Sequence, residues 1–306
     1  MVLCPACESS SNVGFEKSNG YEMHKCIQCS LIFSSPMRAG NEEFYEGHIV
    51  YDQVTESRAL QQKKAFNHRE NRNLLQKFPS NARLLDIGCG YGAFTALAVE
   101  MGLDAYGIDF NSSTIAVGQK IFGLEDRLRV GRIEDLHDFF LDGGYDLITL
   151  FEVIEHVEDP KALINQVSQL LKPGGTLVLS CPNESRWMPA GRIFVDYPPH
   201  HLTRWNPLSL GGLLRGLNFS SISIEIDASF RDLFWTAYVN RSALQRLSLK
   251  EEFRDIAPII SSGQSWKHIL FDLSAIVFSP FDLILKALNI GTMGMRTTAK
   301  KGIEVN

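Results

Sequence analysis

The stretch RLLDIGCGYGAF, at positions 83–94, constrains the fold of this chain more than any other. An apolar run leads into three closely spaced glycines and then into a helix-forming segment, which is typical of a buried strand, a tight turn and a helix. The predicted strands are Leu84–Ile87, Ala105–Ile108, Leu128–Val130, Asp146–Phe151 and Thr176–Ser180, and the predicted helices between them are Phe94–Met101, Ser112–Phe122 and Pro160–Leu171. This alternation predicts an α/β fold with a parallel sheet that is covered on both faces.

The spacing of the glycines indicates which kind of ligand the turn would hold. Gly88, Gly90 and Gly92 form G-x-G-x-G, unlike the G-x-G-x-x-G of dinucleotide sites, and the Gly-Lys-Ser/Thr ending of triphosphate loops is missing. Asp86 precedes the turn, where a carboxylate favours a cationic ligand. Asp109 ends the second strand, where it can accept both hydroxyls of a ribose or, alternatively, cap the next helix.

Four of the six cysteines form two Cys-x-x-Cys pairs near the N-terminus. Two tight turns at this spacing direct four thiolates toward one point, as in tetrahedral zinc sites. Disulfides are the alternative, which a reducing cytoplasm disfavours. The sequence therefore predicts a structural zinc ion in a ribbon too small to fold without it, bound by Cys4, Cys7, Cys26 and Cys29.

Charge and hydropathy restrict the functional class. The 306 residues carry a formal charge of −5 at pH 7, which disfavours broad binding to a phosphate backbone. No uncharged apolar run reaches the roughly 18 to 20 residues that span a bilayer. The opening MVLCPACESS has neither the basic nor the apolar region of a secretory signal, so we expect a cytoplasmic protein.

From residue 82 to about 226, the sequence resembles the class I S-adenosylmethionine-dependent methyltransferases. LLDIGCGYGAF, AYGIDF, YDLITLFEVIEHVEDP and LLKPGGTLVLSCPN are similar to successive motifs of that family, in the same order. The resemblance implies a Rossmann-like sheet of seven strands and S-adenosylmethionine as cofactor. It also implies that GMRTTAKK, at 294–301, is the antiparallel edge strand that closes the sheet.

The resemblance implies roles for the residues around the glycine turn. Gly88 and Gly90 would let the backbone approach the cofactor closely, and Asp86 would favour its positive ammonium group. Asp109 would bind the ribose, and Phe110 would lie along the adenine.

Three further cofactor contacts follow from the same resemblance. Phe151, at the end of the fourth strand, would contact the methionine moiety. Many relatives bind the adenine amino group with an acidic residue after the third strand, but Arg132 stands there, which leaves the Ile133 backbone or Glu134. Arg69 would meet the cofactor carboxylate, as in ubiquinone-pathway O-methyltransferases, or be an exposed helical residue.

The loop after the fifth strand contains DYPPHHLTRW, at 196–205. Imidazoles titrate near neutral pH, so His201 and His200 are the candidate catalytic residues, as bases or as acceptor-binding groups. Because the family often has a histidine four residues before an aromatic, which matches His201 and Trp205, a structural role is the alternative.

FEVIEHV places Glu152, Glu155 and His156 after the fourth strand. A similar trio is associated with magnesium and catechol-like acceptors in ubiquinone-pathway O-methyltransferases. In other relatives the same motif shapes the cofactor pocket, and that is the interpretation we favour.

YEMHKCIQCSLIFSSP resembles the zinc ribbon that precedes some small-molecule methyltransferases, including enzymes of deoxysugar and cell-surface-sugar pathways. We therefore expect a small-molecule acceptor, such as a sugar or cell-envelope precursor. The alternatives are an RNA methyltransferase that grips RNA with its ribbon and a non-catalytic scaffold that binds cofactor.

The predicted organisation is a zinc ribbon at 1–38, linking helices at 39–81 and a methyltransferase domain at 82–306. An apolar helical insert at 231–289 would precede the last strand. The apolar residues along one face of this insert suit a buried packing face or, alternatively, a lid, a homodimer contact or a membrane-surface helix.

Overall fold

The computed structural model describes residues 2–18, 20–40, 54–139, 144–185, 196–226 and 294–302. The strands, in chain order, are β1 Asn12–Ser18, β2 Tyr21–Cys26, β3 Ile32–Ser35, β4 Arg83–Ile87, β5 Asp104–Asp109, β6 Leu128–Val130, β7 Tyr145–Phe151, β8 Leu171–Pro182, β9 Thr203–Arg204, β10 Phe219–Ile226 and β11 Gly294–Lys301. The helices are α1 Glu56–Phe66, α2 Arg69–Leu75, α3 Ala93–Glu100, α4 Ser112–Phe122, α5 Pro160–Leu170, α6 Pro207–Gly216 and a 3₁₀ helix at Ile133–Phe139.

The larger sheet has seven strands in the order β10-β11-β8-β7-β4-β5-β6. The five strands from β8 to β6 are parallel, whereas β10 and β11 run antiparallel to their neighbours. The predicted α/β fold with a seven-stranded, Rossmann-like sheet is confirmed. Parallel order brings the carboxyl ends of β4, β5, β6, β7 and β8 to one edge, where ligands bind in such sheets.

The prediction that GMRTTAKK forms the edge strand is wrong. As β11 it lies between β8 and β10, with Thr297 paired to Leu179 on one side and to Ile224 on the other. The edge strand is β10. An antiparallel strand with one solvated face shows the same alternation at an edge as in the interior, so the sequence pattern does not distinguish the two positions.

Both faces of the sheet are covered, as the continuous apolar strands predict. Leu84 and Leu147 pack with α2 and α3 on one face. Leu85 and Ile148, the next residue of each strand, pack with α5 on the opposite face. Each of these side chains is buried, and burial of one leucine or isoleucine contributes about 1.5–3 kcal/mol to folding.

The smaller sheet joins two distant parts of the chain. Its order is β1-β2-β3-β9, so the cysteine-bearing segment supplies three strands and the loop after β8 supplies the fourth. Ile32 pairs with Arg204 and Phe33 pairs with Thr203. The ribbon is therefore paired, strand to strand, with the histidine-bearing loop.

The predicted helical insert at 231–289 lies outside the described residues. In the part of the chain that the structure describes, no helix is both long enough and apolar enough to cross a lipid bilayer.

Two helical glycines provide a matched test of the packing. In α4, a methyl group at Gly118 would overlap the Tyr91 carbonyl, whereas Gly212 in α6 has nothing within 4 Å of the corresponding position. We expect Gly118→Ala to lower the free energy of unfolding by about 1–3 kcal/mol. Gly212→Ala should raise it by up to about 1 kcal/mol, because alanine is the better helix former. Urea denaturation measures both, and equal effects of the two substitutions would contradict the described packing.

Candidate cofactor and acceptor site

The glycine turn joins β4 to α3 at the carboxyl edge of the sheet. Gly88 and Gly90 have φ angles of +72° and +57°, a backbone region that other residues rarely adopt. A side chain at Gly88 would also overlap Val153. The Gly88 N–H donates to the Ile108 carbonyl at 2.9 Å, which ties the turn to the end of β5. Two of its positions therefore present bare backbone to a ligand.

Helix α1 covers this turn, a feature that the sequence analysis missed. The Gln62 side-chain nitrogen lies 3.4 Å from the position that a Gly90 Cβ would occupy. Ion pairs of Lys63 with Glu100 and of Lys120 with Glu56 tie the helix to α3 and α4. The charged, weakly amphipathic sequence of α1 gave no signal of this position.

Asp86 lies directly beneath the turn and is fully enclosed. Its two oxygens accept hydrogen bonds from the Thr149 hydroxyl at 2.7 Å and the Thr95 hydroxyl at 3.1 Å. Burial raises the pKa of Asp86 to about 7, although the two hydroxyls partly offset that cost. Because a nearby cation favours the ionised form of a carboxyl group, the site suits a ligand with a positive charge.

Asp109 connects the end of β5 to the glycine turn. Its carboxylate accepts the Gly90 N–H at 2.8 Å and the Asn111 N–H at 2.9 Å. The helix-capping alternative for Asp109 is wrong, because the Asn111 side chain caps α4 by accepting from Ser113 and Thr114. Burial raises the pKa of Asp109, against the effect of its two N–H donors.

The other predicted cofactor residues occupy different environments. Phe110 follows Asp109 and is 43% exposed. Ile133 begins the 3₁₀ helix after β6, at the same edge of the sheet. Phe151 packs edge-on against Phe94, with the Arg296 guanidinium 5.4 Å from its ring.

Arg69 opens α2 and is exposed. The structure therefore gathers the predicted residues of β4, β5 and the 3₁₀ helix at one edge. It adds no contact that brings Arg69 to them.

The four N-terminal cysteines fit a tetrahedral metal. The Cys4 and Cys29 sulfurs are 3.6 Å apart, as are those of Cys7 and Cys26, and all four sulfurs lie within 4.8 Å of one another. Zinc–sulfur bonds of about 2.3 Å place tetrahedral sulfurs roughly 3.8 Å apart. All four are free thiols, which argues against the disulfide alternative. Cys89 and Cys181 are buried packing residues.

The residues after β7 form a strained and buried turn. Glu152 is a non-glycine residue with a φ of +56°, and its carboxylate accepts the Ser180 hydroxyl at 2.7 Å. The Glu155 side chain is enclosed, and neither of its oxygens is hydrogen-bonded to a described donor. Burial, with the neighbouring Glu152 carboxyl, raises the pKa of Glu155 well above its usual range.

Three histidines meet beside this turn. The rings of His156, His200 and His201 have centroids 4.8–4.9 Å apart, and those of His200 and His201 are stacked. His156 donates from Nδ1 to the His200 carbonyl at 2.7 Å. Burial lowers the pKa of His156 to about 4, so its imidazole is neutral at pH 7. The sequence identified each histidine but did not predict that they meet.

The cysteine-bearing ribbon holds the histidine loop in place. The Ser34 N–H donates to the Leu202 carbonyl at 2.8 Å, and the Asn206 side chain donates to the Ser30 carbonyl at 2.9 Å. Trp205, fully buried, lies in the same apolar cluster as Cys26 and Cys29. Contacts with the ribbon therefore fix the conformation of residues 200–206.

Comparison with known proteins identifies the family. The profile described as "Methyltransferase domain" matches residues 59–224, more than half of the chain. The chain belongs to this methyltransferase family. The matched range begins in α1 and ends in β10, so it includes the glycine turn, Asp109 and the three histidines.

Curated relatives match a shorter part of the methyltransferase. The ubiquinone biosynthesis O-methyltransferase of Xanthomonas oryzae pv. oryzae (strain PXO99A) is 36% identical over 109 residues, which are 35% of this chain and 45% of that protein. That of Xanthomonas axonopodis pv. citri (strain 306) is 36% identical over 110 residues, or 35% and 46% of the two chains. The chain thus spans less than half the length of these relatives.

Solved structures confirm the fold. A SAM-dependent methyltransferase from Archaeoglobus fulgidus superposes with a TM-score of 0.52 at 20% identity, over 85% of this chain and 97% of that one. Phosphoethanolamine N-methyltransferase 2 of Haemonchus contortus, in complex with S-adenosyl-L-methionine, gives 0.55 at 15% identity, over 95% and 71%. The chain therefore has the fold of these structures, within the methyltransferase family that the profile identifies.

Removal of one cysteine tests the dependence of the histidine loop on the ribbon. We expect Cys26→Ser to lose the sulfur-bound metal and to raise amide hydrogen exchange at least about tenfold across 200–206, because β9 loses its partner strand. Exchange in β4 and β7 should stay unchanged. Cys181→Ala, a buried cysteine outside the ribbon, is the control. Unchanged exchange at 200–206 in the metal-free variant would contradict the proposed support.

Proposed function

We propose that this methyltransferase transfers the methyl group of S-adenosylmethionine to a small-molecule acceptor, a sugar or cell-envelope precursor. The observation that carries the cofactor assignment is the Asp109 carboxylate, held beside the turn by the Gly90 N–H at 2.8 Å. The family match and the fold support the same cofactor.

The cofactor end of the site is formed by residues that the chain holds in fixed positions. Asp109 would accept the ribose hydroxyls, and Phe110 would cover one face of the adenine. Asp86, enclosed beneath the turn, would favour the ammonium group through its negative charge. Gln62 of α1, whose oxygen is buried without a described hydrogen-bond donor, would close over the methionine moiety.

The acceptor end would lie beyond β7, where Glu155 and the three histidines meet. When bound, S-adenosylmethionine supplies an activated methyl group on a positively charged sulfur. Transfer breaks the sulfur–methyl bond, forms the bond from methyl to acceptor oxygen and releases the hydroxyl proton. The protein must therefore orient the acceptor hydroxyl in line and assist loss of its proton, and His201 and His200 are the residues we assign to that end.

Three observations favour a small polar acceptor. The curated relatives act, by name, as O-methyltransferases of ubiquinone biosynthesis, which supports a small molecule. The ribbon resembles those of methyltransferases in sugar and cell-surface-sugar pathways. A cluster of imidazoles and carboxyls is also suited to an acceptor rich in hydroxyl groups.

The cofactor assignment is tested by one substitution with a matched control. Asp109→Ala removes the proposed ribose contact, and we expect the Kd for S-adenosylmethionine to rise at least about tenfold, or about 1.4 kcal/mol. Asp126→Ala removes an exposed carboxylate away from the turn and should leave that Kd unchanged. Isothermal titration calorimetry measures both. Parent-like affinity of Asp109→Ala would overturn the assignment.

The acceptor class is tested with labelled methyl groups. We expect the protein to transfer label from S-adenosylmethionine into the small-molecule or lipid-linked fraction of a cell extract. His201→Ala should reduce that transfer by about 10²–10⁴-fold while cofactor affinity stays within twofold, since the histidine lies at the acceptor end. His68→Ala, at the exposed histidine that precedes α2, is the control.

The outcomes separate the proposal from its rivals. Label confined to RNA would replace the small-molecule acceptor with a nucleic acid and assign the ribbon to RNA binding. Cofactor binding without transfer to any fraction would favour the non-catalytic scaffold.

A further inference from the structure

The three histidines beside β7 form a second cluster with the geometry of a metal site, separate from the four cysteines. One imidazole nitrogen from each of His156, His200 and His201 lies within 4.8 Å of the other two. Metal–nitrogen bonds of about 2.1 Å place two ligands on opposite sides of a metal at about 4.2 Å, and closer in other arrangements. The three nitrogens therefore lie close enough to meet at one ion after side-chain rotation, because the stacked His200 and His201 rings must turn to direct both lone pairs at it.

His156 is oriented as a metal-binding histidine is. Its Nδ1–H donates to the His200 carbonyl at 2.7 Å, so the unprotonated lone pair lies on Nε2. Ligating histidines commonly donate their second ring N–H to a carbonyl or a carboxylate, which fixes both the tautomer and the ring orientation. The same hydrogen bond couples the turn after β7 to the loop that carries the other two imidazoles.

A buried carboxyl group beside the cluster is the second observation. The Glu155 carboxyl is 1% exposed, and neither of its oxygens is hydrogen-bonded to a described donor. Its Oε1 lies 3.8 Å from His156 Nε2. On the other side, Asp196 Oδ1 lies 3.8 Å from His201 Nδ1. Ionising an enclosed carboxyl group is costly, and a cation among the imidazoles would offset that cost.

We propose that His156, His200 and His201 bind a divalent transition-metal ion, with the Glu155 carboxylate compensating its charge. Imidazole ligands select zinc, iron, cobalt or nickel, whereas magnesium and calcium require oxygen ligands. The ligand set thus differs from a magnesium site built on carboxylates. The metal site uses the same loop as the proposed acceptor end. An imidazole nitrogen that binds the ion cannot also take the acceptor's proton, so in the metal-bound protein His200 and His201 would act by holding the ion at that end.

A cobalt titration of the metal-free, tag-free full-length protein tests this inference. We expect two equivalents of Co²⁺ to bind. One should give the intense sulfur-to-metal charge-transfer band of a cysteine site, and the other should give only the weaker visible bands of nitrogen and oxygen ligands.

Substitutions test which residues bind the second equivalent of Co²⁺. His200→Ala and His156→Gln should lose it, and the isosteric Glu155→Gln should weaken it at least tenfold. All three should retain the charge-transfer band, which reports in the same sample that the ribbon is folded. His68→Ala, outside the cluster, should retain both equivalents.

Three results would overturn the proposal. These are a single equivalent in the parent protein, a second equivalent that persists in both His200→Ala and His156→Gln, and displacement of the second equivalent by millimolar Mg²⁺. Because the readout needs neither cofactor nor acceptor, failure of the methyl-transfer assay would leave the metal result standing, and the reverse also holds.

Discussion

A buried carboxylate joins the elements that surround the cofactor end of the site. Asp86 stands on β4, and its two oxygens bind Thr149 of β7 and Thr95 of α3. A carboxylate in this position needs both donors, because burial without them would cost several kcal/mol. The strand, its parallel neighbour and the following helix are thereby fixed in one arrangement, and the positive φ angles of the glycine turn are set by that arrangement. The position of Asp109 against Gly90 depends on the same turn.

The loop that carries His200 and His201 is organised by a different constraint. It has no long strand or helix of its own, and it gains its order from the small sheet through the pairing of β3 with β9. The knuckle carbonyl of Ser30 also binds Asn206, which caps α6. The ribbon supplies a strand edge that 200–206 cannot provide for itself. It is therefore part of the structure that positions the histidine loop and is more than an appended module.

Much of the fold could be predicted from the sequence because its signals are local. Apolar runs broken by glycine gave the parallel strands, and paired Cys-x-x-Cys spacing gave the cysteine cluster. Sequence patterns failed to predict the elements whose structure depends on residues distant in the chain. β1 is a polar, solvated strand, β9 has two residues, and the cover that Gln62 places on the turn arises from tertiary packing of α1. The interior position of β11 and the capping of α4 by Asn111 instead of Asp109 likewise depend on geometry that spacing does not encode.

The site shows the same division. The sequence identified Glu155 and each histidine as candidates. Their proximity, however, depends on contacts between the ribbon and the loop that carries His200 and His201. Sequence periodicity reports which face of an element is apolar. It does not report that two loops, 44 positions apart between His156 and His200, share one enclosed space.

The contact between Ser30 and Asn206 has a consequence for biosynthesis, because the two residues are 176 positions apart. The ribbon leaves the ribosome first, with the outer edge of β3 unpaired, and at about 5–20 residues per second its partner strand follows roughly 10–35 s later. An open strand edge is a template for pairing with other chains. Early capture of metal by the cysteines would keep the nascent ribbon compact during that interval, so metal supply during translation becomes a determinant of how much chain reaches the folded state.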